Sequence, residues 1–442
     1  MNELKTFPRG GIETPEGKEL TLGSPITNAA VPPVAVLPLR QHAGLPAACI
    51  VSVGQRVREG ALIGTPTEAA SAAVHSPIPG TVCAIGDVKL SDGSVSPAVT
   101  IELGGEFELS GRAPEVHNWR TMQKTELLAQ VRIMGVVGMG GQGIPLHSKY
   151  HGHADPRLDA FVINALDGEP FLTADYRLLV EKTREIAEGI LIAVRILEPV
   201  RVILAVGQRA AAAGEALEAA LRDLGGKVAV EVLEDRYPQG EERQLAATLL
   251  GDELPRAVPL RDRGIMVSCV ATIFALYEAV ALGRPLIDRV LTVSGSGIVA
   301  PRNLKVRLGT PFKDLLDECG GLAPRCGRLV VGGPLRGHVL SSDAAPATKL
   351  TTGAVAIPRR DSWGGRERDC IRCGRCMDVC PYGLAPYLLA KLSDAGRVEA
   401  LVREGAAECV ECGCCAYVCP ARIPLLRPLR AGKHAIGASN GR

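Results

Sequence analysis

The chain has 442 residues, and its 50 basic and 48 acidic side chains leave a formal net charge of +2. That length is too great for one ordinary core and implies about three domains. A near-neutral balance with only 3% aromatic residues excludes nucleic-acid binding driven by a basic field and stacked rings, and 46% hydrophobic against 22% charged residues excludes general disorder.

Residues 1–30 are polar and rich in glycine and proline, and read as an extended lead-in. Across 31–104, short apolar runs at 34–39, 48–53, 61–63, 81–85 and 99–103 alternate with glycine and proline turns, the pattern of a small all-β module. Within it, Val53-Gly-Gln-Arg-Val-Arg-Glu-Gly60 and His75-Ser-Pro-Ile-Pro-Gly-Thr-Val82 resemble the lipoyl/biotinyl barrel-sandwich hybrid. No lysine stands between Gly54 and Gly80, where a carrier's modified lysine would lie, so a structural module is expected.

After a linker at 104–120, residues 121–285 alternate helix and strand. Helices are expected at 125–133, 176–197 (one long helix), 210–224, 241–250 and 271–282, and strands at 160–165, 201–206 and 228–233. That alternation predicts an α/β domain with a largely parallel sheet. Residues 286–357 add strands near 290–293, 304–306 and 329–331 around a helix at 312–318, the size of a β-grasp unit. A linker at 359–368 leads into a cysteine-rich segment, 366–425, and a basic tail, 426–442, expected to fray. No apolar run approaches the ~18 residues that a spanning helix needs, so a soluble or peripheral protein is expected.

Nine of the fourteen cysteines fall between Cys370 and Cys419. The N-terminus has no apolar segment of secretory type, so a reducing compartment and metal-bound thiolates are expected. Cys370-Ile-Arg-Cys373-Gly-Arg-Cys376-Met-Asp-Val-Cys380-Pro381 recurs 39 residues later as Cys409-Val-Glu-Cys412-Gly-Cys414-Cys415-Ala-Tyr-Val-Cys419-Pro420. Three close cysteines on a loop suit three irons of a cubane, and the fourth, before proline, ligates the other cluster in two-cluster ferredoxins. One [4Fe-4S] cluster is therefore expected on Cys370, Cys373, Cys376 and Cys419, and the other on Cys409, Cys412, Cys415 and Cys380. Structural zinc favours paired Cys-x-x-Cys or histidine sets instead. Cys414 reads as a spare thiol beside the second cluster.

Two interleaved clusters form a one-electron wire that something must feed. Gly135-Val-Val-Gly138-Met-Gly140-Gly141-Gln142-Gly143-Ile144-Pro145 is a glycine-dense turn whose bare backbone can approach phosphate or a flat ring. By itself it is equally a plain surface loop. Lys149 follows it, and the buried strand at 160–165 ends at Asn164 before Asp167-Gly168-Glu169-Pro170. Strand ends of this kind commonly hold ligands in α/β folds. His147, His151 and His153 offer a weaker metal alternative.

This order of motifs, continuing to Gly240-Glu241-Glu242, resembles the flavin-bearing, NADH-oxidising subunit of respiratory complex I. Over residues 7–426 the chain resembles still more closely the RnfC-type component of Rnf (Rsx) electron-transport complexes, through Gly10-Gly11-Ile12, Lys18, Gln41-His42, residues 75–80, Glu169-Pro170, Thr173-Ala174-Asp175, Tyr237-Pro238 and Gly332-Gly333-Pro334-Leu335. The resemblance implies a multidomain α/β and α+β chain: barrel-sandwich hybrid, α/β FMN/NAD(H) domain, SLBB-like β-grasp and two-cluster ferredoxin-like domain. It implies FMN on Gly138, Gly140, Gly141, Gly143, Lys149, Asn164 and Asp167, with Glu169, Glu241 and Glu242 near flavin or nicotinamide. It further implies a peripheral translocase subunit on the cytoplasmic face of the bacterial inner membrane, with integral-membrane and iron–sulfur partner subunits. Such a complex couples electron transfer between ferredoxin and NAD(H) to Na+ or H+ movement. Ile144, Leu146, Asp167-Gly168 and Cys269 depart from the family pattern. A soluble flavin/iron–sulfur reductase such as cobalamin reductase, or a relay subunit without a nucleotide site, are the alternatives.

Overall fold

The computed structural model describes residues 4–110, 116–151, 158–251, 258–359 and 366–440. The first module packs two small sheets. One orders Val34–Pro38, Val95–Leu103, Gly80–Lys89 and Arg56–Val57; the other orders Ala48–Cys49, Leu62–Thr65 and Val74–His75. Inward-facing Leu37, Ile63, Ile78, Val99 and Ile101 are fully buried between them, as expected where one face of each strand meets a core.

The α/β domain is built on four parallel strands in the order Val228–Leu233, Arg201–Gly207, Ala160–Ala165, Ile265–Cys269. Every residue of Ala160–Ala165 is buried, since helices cover both faces of this strand. Chain order thus reverses between Ala160–Ala165 and Ile265–Cys269, which opens a crevice at their carboxyl ends. The single helix expected at 176–197 is two helices, Ala174–Glu181 and Thr183–Leu197, because Lys182 leaves helical angles. The Thr183 hydroxyl donates to the Leu179 carbonyl there at 2.8 Å. The helix expected at 210–224 likewise shortens to Ala211–Ala220 plus a 3-10 turn, Arg222–Leu224.

A six-stranded mixed sheet follows, carrying helix Phe312–Glu318. Its edge strand, Ile26–Asn28, comes from the N-terminal lead-in and pairs parallel with Arg302–Arg307. The lead-in is therefore part of the fold and not a loose arm. Asn303 fixes it there, donating to the Thr21 carbonyl at 2.9 Å while accepting from Thr292 and Thr173. Buried Lys349 joins three modules: its ammonium donates to Ala73 and Gly135 carbonyls at 2.7 Å each. Burial without a counter-charge pushes it down to about 7.

The cysteine segment folds into short helices, including Pro386–Asp394 and Val398–Arg403. The tail expected to fray is instead helix Leu426–Asn440. Leu429 and Ile436 are buried with Leu389 and Leu401, and Arg430 and Lys433 pair with Glu411. Apolar residues spaced along one face explain the docking; the basic residues had masked that pattern.

Candidate functional site

A cavity of about 770 Å³ opens at the crevice between Ala160–Ala165 and Ile265–Cys269. That volume lies within the range of cofactor sites. The glycine turn forms one wall and is held as a closed bracket. Gly138 donates to Ile144 at 2.8 Å, Gly143 donates to Gly138 at 3.2 Å, and the Met139 N–H donates to the Thr272 hydroxyl at 2.9 Å.

The glycines differ in what they do. A Cβ on Gly138 or Gly140 would meet no protein atom closer than 3.6 Å, and one on Gly141 would meet none within 4 Å. The space that they leave is cavity, which is the fit expected of a cradle for a flat or anionic ligand. Gly143 does not line the cavity. It has φ +68°, and a Cβ there would press Leu350 at 2.9 Å, so it shapes the turn.

Lys149 enters the cavity from helix Leu146–His151, donating to Glu242 at 2.9 Å and to the Val267 carbonyl at 2.7 Å. Asn164, at the end of its strand, donates to the Gly240 carbonyl at 2.9 Å and accepts from Leu166 at 3.1 Å. It thereby locks the two loops that carry the acids. Asp167 accepts from the Tyr176 N–H, and burial pushes it up to about 7 against the pull of Lys18. Burial likewise raises Glu169 to about 7, although Leu335 and Arg336 N–H groups donate to it at 2.9 and 3.2 Å. Glu241 is the N-cap of helix Glu242–Leu250, accepting from Arg243 and Gln244 N–H groups. Gly138, Gly140, Gly141, Lys149, Asn164, Asp167, Glu169, Glu241 and Glu242 all face this one cavity. A smaller pocket of about 80 Å³ beside it shares residues 166–169 and is roofed by lead-in residues such as Glu16 and Lys18.

Several residues at the site were given no role there from the sequence, although Asp175, Tyr237 and Cys269 lie in its motifs and only Arg289 and Tyr382 lie outside them. Arg289 and Asp175 are a buried charge pair at the wall: burial lowers Arg289 to about 10 and raises Asp175 to about 6, each opposed by the other. Cys269 turns its thiol to the Thr272 hydroxyl at 3.1 Å. Two tyrosines run from the acids to the cysteine domain. Tyr382 donates to Glu241 at 2.9 Å, and the Tyr237 hydroxyl reaches both Glu169 at 3.0 Å and the Cys412 carbonyl at 2.6 Å. Val410 and Glu411 themselves line the cavity.

The cysteines fall into two neighbourhoods. Cys376 feels Cys370 and Cys419, whereas Cys409 and Cys415 feel Cys412 and Cys380. The fourth cysteine of each run thus faces the other run's loop. Among the described residues no three ligating side chains converge as closely as a single ion demands. A cubane takes one thiolate per iron and accepts the wider spread. Cys414 is fully buried in the second loop. His147 is buried with Nε2 unpartnered, His151 is exposed, and His153 lies outside the described residues.

Four family models match in chain order: an RnfC barrel-sandwich hybrid domain over 5–106, a Nuo51 FMN-binding domain over 131–278, an SLBB domain over 290–338 and a 4Fe-4S dicluster domain over 365–420. The C-type component of the proton-translocating ferredoxin:NAD(+) oxidoreductase complex of Clostridium ljungdahlii is 36% identical across 88% of this chain and 84% of its own. Its counterpart in the Na(+)-translocating complex of Acetobacterium woodii is 32% identical across 99% and 98%, and that in the ion-translocating oxidoreductase complex of Rhodobacter capsulatus 36% across 100% and 86%. An NAD+-reducing [NiFe]-hydrogenase shares the fold at TM-score 0.51 and 20% identity, over 75% of this chain and 65% of its own. The chain belongs to the RnfC family of ion-translocating oxidoreductase complex subunits.

Proposed function

We propose that this chain is the NAD(H)-oxidising, flavin- and iron–sulfur-bearing subunit of an Rnf-type complex. The observation that carries the reading is the shared cavity: the glycine cradle forms one wall and Val410-Glu411, inside the second cysteine run, another. A ligand there lies against the glycine turn on one side and a cysteine loop on the other. FMN supplies the conversion between a hydride pair and single electrons.

The chain's own groups would divide the work. Gly138, Gly140 and Gly141 offer bare backbone to the ligand, while Lys149 and Arg289 place positive charge at the cavity wall. Asn164 and Asp167 hold the strand-end loop that carries Glu169. Glu169, Glu241 and Glu242 face the nicotinamide side. Cys409, Cys412, Cys415 and Cys380 hold the nearer of two [4Fe-4S] clusters, and Cys370, Cys373, Cys376 and Cys419 the farther.

Among the described residues no helix is long and apolar enough to cross a membrane. Membership in an ion-translocating complex then supports peripheral docking, on the cytoplasmic face of the bacterial inner membrane where NAD(H) is available. The partners are integral-membrane and iron–sulfur subunits, with ferredoxin reached through them and Na+ or H+ as the moved ion.

Anaerobic reconstitution followed by iron, sulfide and flavin analysis tests this reading. The expected result is FMN, iron for two cubanes, and bleaching of the visible spectrum by NADH. Two clusters without FMN and without bleaching would establish an electron relay that lacks its own nucleotide site.

A further inference from the structure

The turn Gly332-Gly333-Pro334-Leu335 carries Arg336 into a narrow place. Gly332 and Gly333 take φ of +87° and +98°, and a Cβ on Gly333 would strike Glu169. On its other side the Leu335 carbonyl leaves no room for a Cβ on Gly413, inside the second cysteine loop. The turn is thus wedged between an acid of the cavity and a cysteine loop, and Arg430 holds it by donating to the Arg336 carbonyl. From there the Arg336 N–H donates to Glu169 at 3.2 Å, and its guanidinium donates to the Val410 carbonyl at 3.4 Å. Arg336 lines the large cavity. Val410 and Glu411 line both that cavity and the small void among Cys380, Cys409, Cys412 and Cys415. A fixed cation therefore stands in the wall between the ligand cavity and the nearer cysteine set.

The charges around it do not cancel it. Arg430 and Lys433 also reach this loop, but both pair with Glu411. Glu169 and Glu241 act on the Arg336 guanidinium, and burial keeps Glu169 protonated below about 7. Three cations then face two acids, Glu241 and Glu411. The field of Arg336 reaches the Cys412 sulfur, where Glu241 opposes it. The first cysteine loop repeats the backbone, Arg372 and Glu411 having φ of +55° and +57°. Its charges are placed differently: Arg368, Arg372 and Arg375 stand beside Glu367, Asp369 and Asp378, all of them exposed. Water and salt screen such charges far more than one set in a cavity wall.

Resting on the proposed two-cluster reading, we infer that Arg336 sets the potential of the nearer cluster, biasing it toward its reduced form. Reduction adds one negative charge to a cubane, and the charge and hydrogen bonds around a cluster set how readily it accepts that electron. A guanidinium is charged at every working pH, so the bias is constant. The donor in the cavity is oxidised by one electron and the cluster is reduced by one, with no bond made or broken at the cluster. The farther cluster has no such cation on its loop among the described residues.

The test is a potentiometric titration of the full reconstituted chain at pH 6, followed by electron paramagnetic resonance, with the two signals assigned by Cys380→Ala. R336M and R336Q are each expected to shift the reduced-to-oxidised ratio of the cluster on Cys409, Cys412 and Cys415 about tenfold toward oxidised, a fall of about 59 mV for one electron. The other cluster should keep its wild-type potential, and R336K should recover at least half of the fall. If R336M costs iron, R336Q, which keeps a donor but not the charge, decides alone. An unchanged potential in R336Q overturns the inference, as does an equal shift of both clusters, or a potential in R336K as low as in R336Q. The readout does not depend on NADH. Failure of NADH bleaching with the shift intact would reject the NAD(H) assignment and leave the role of Arg336 standing, whereas iron for one cluster in the wild-type chain would reject the two-cluster reading itself.

Discussion

The Tyr237 hydroxyl stands 3.0 Å from the Glu169 carboxylate and 2.6 Å from the Cys412 carbonyl. One hydroxyl proton cannot serve two acceptors. With Glu169 charged, Tyr237 donates to it in competition with the Cys412 carbonyl; protonation of Glu169 would let the carboxyl donate to the Tyr237 oxygen and free Tyr237 to donate to Cys412. Burial favours that neutral form and holds Glu169 at about 7. The folded state therefore keeps its proton where the unfolded chain, near 4.5, has lost it. The stability that this proton contributes is full below about 4.5 and is lost as pH rises through about 7. The urea midpoint of the apo chain should fall between about pH 5 and 7.5, and Glu169→Gln should make that slope shallower. Asp167 and Asp175, also raised by burial, should supply the slope that remains.

Gly140→Ala separates cradle from scaffold. A Cβ there lies 3.6 Å from the nearest protein atom, the Cys269 thiol, and the residue has no positive φ. The apo chain should keep its thermal midpoint while FMN retention after gel filtration falls at least tenfold. Gly143→Ala, with positive φ and a 2.9 Å contact to Leu350, should destabilise the apo chain by roughly 1 kcal/mol or more.

Lys149→Met removes a cation shared between Glu242 and the Val267 carbonyl. If Lys149 turns to a flavin phosphate on binding, the loss of a charged hydrogen bond should weaken FMN by about 10–100-fold. Quenching of flavin fluorescence on titration with apo protein measures it. An unchanged Kd would confine Lys149 to bracing Glu242.

Cys380→Ala tests crossed ligation. Cys380 sits in the first run but faces Cys409, Cys412 and Cys415. Electron paramagnetic resonance of the reduced protein should lose the signal of the cluster on those three cysteines and keep the other. Loss of the signal tied to Cys370, Cys373 and Cys376 would mean each run serves its own cluster.

Much of the site was legible because its chemistry is local. The 39-residue cysteine repeat and the glycine turn are short spacings, and the buried strand ending in Asn164 is a run of apolar residues bounded by turn formers. Local spacing misjudged the segment at 176–197, where one residue, Lys182, interrupts an otherwise helical pattern. It also misjudged the C-terminal helix, whose apolar stripe needs Leu389 and Leu401 to have meaning.

Composition and spacing alone determined that a repeated cysteine run and a glycine-dense turn share this chain, because those signals are carried by residues a few positions apart. Only the tertiary structure decided how they meet. Tyr237 and Tyr382 reach the two acids from distant positions, and Arg289 arrives from another sheet. Two identical loop backbones end in opposite environments, Val410 covered and Ile371 bare. A repeat fixes backbone angles through its own residues, but burial depends on what the rest of the chain packs against it.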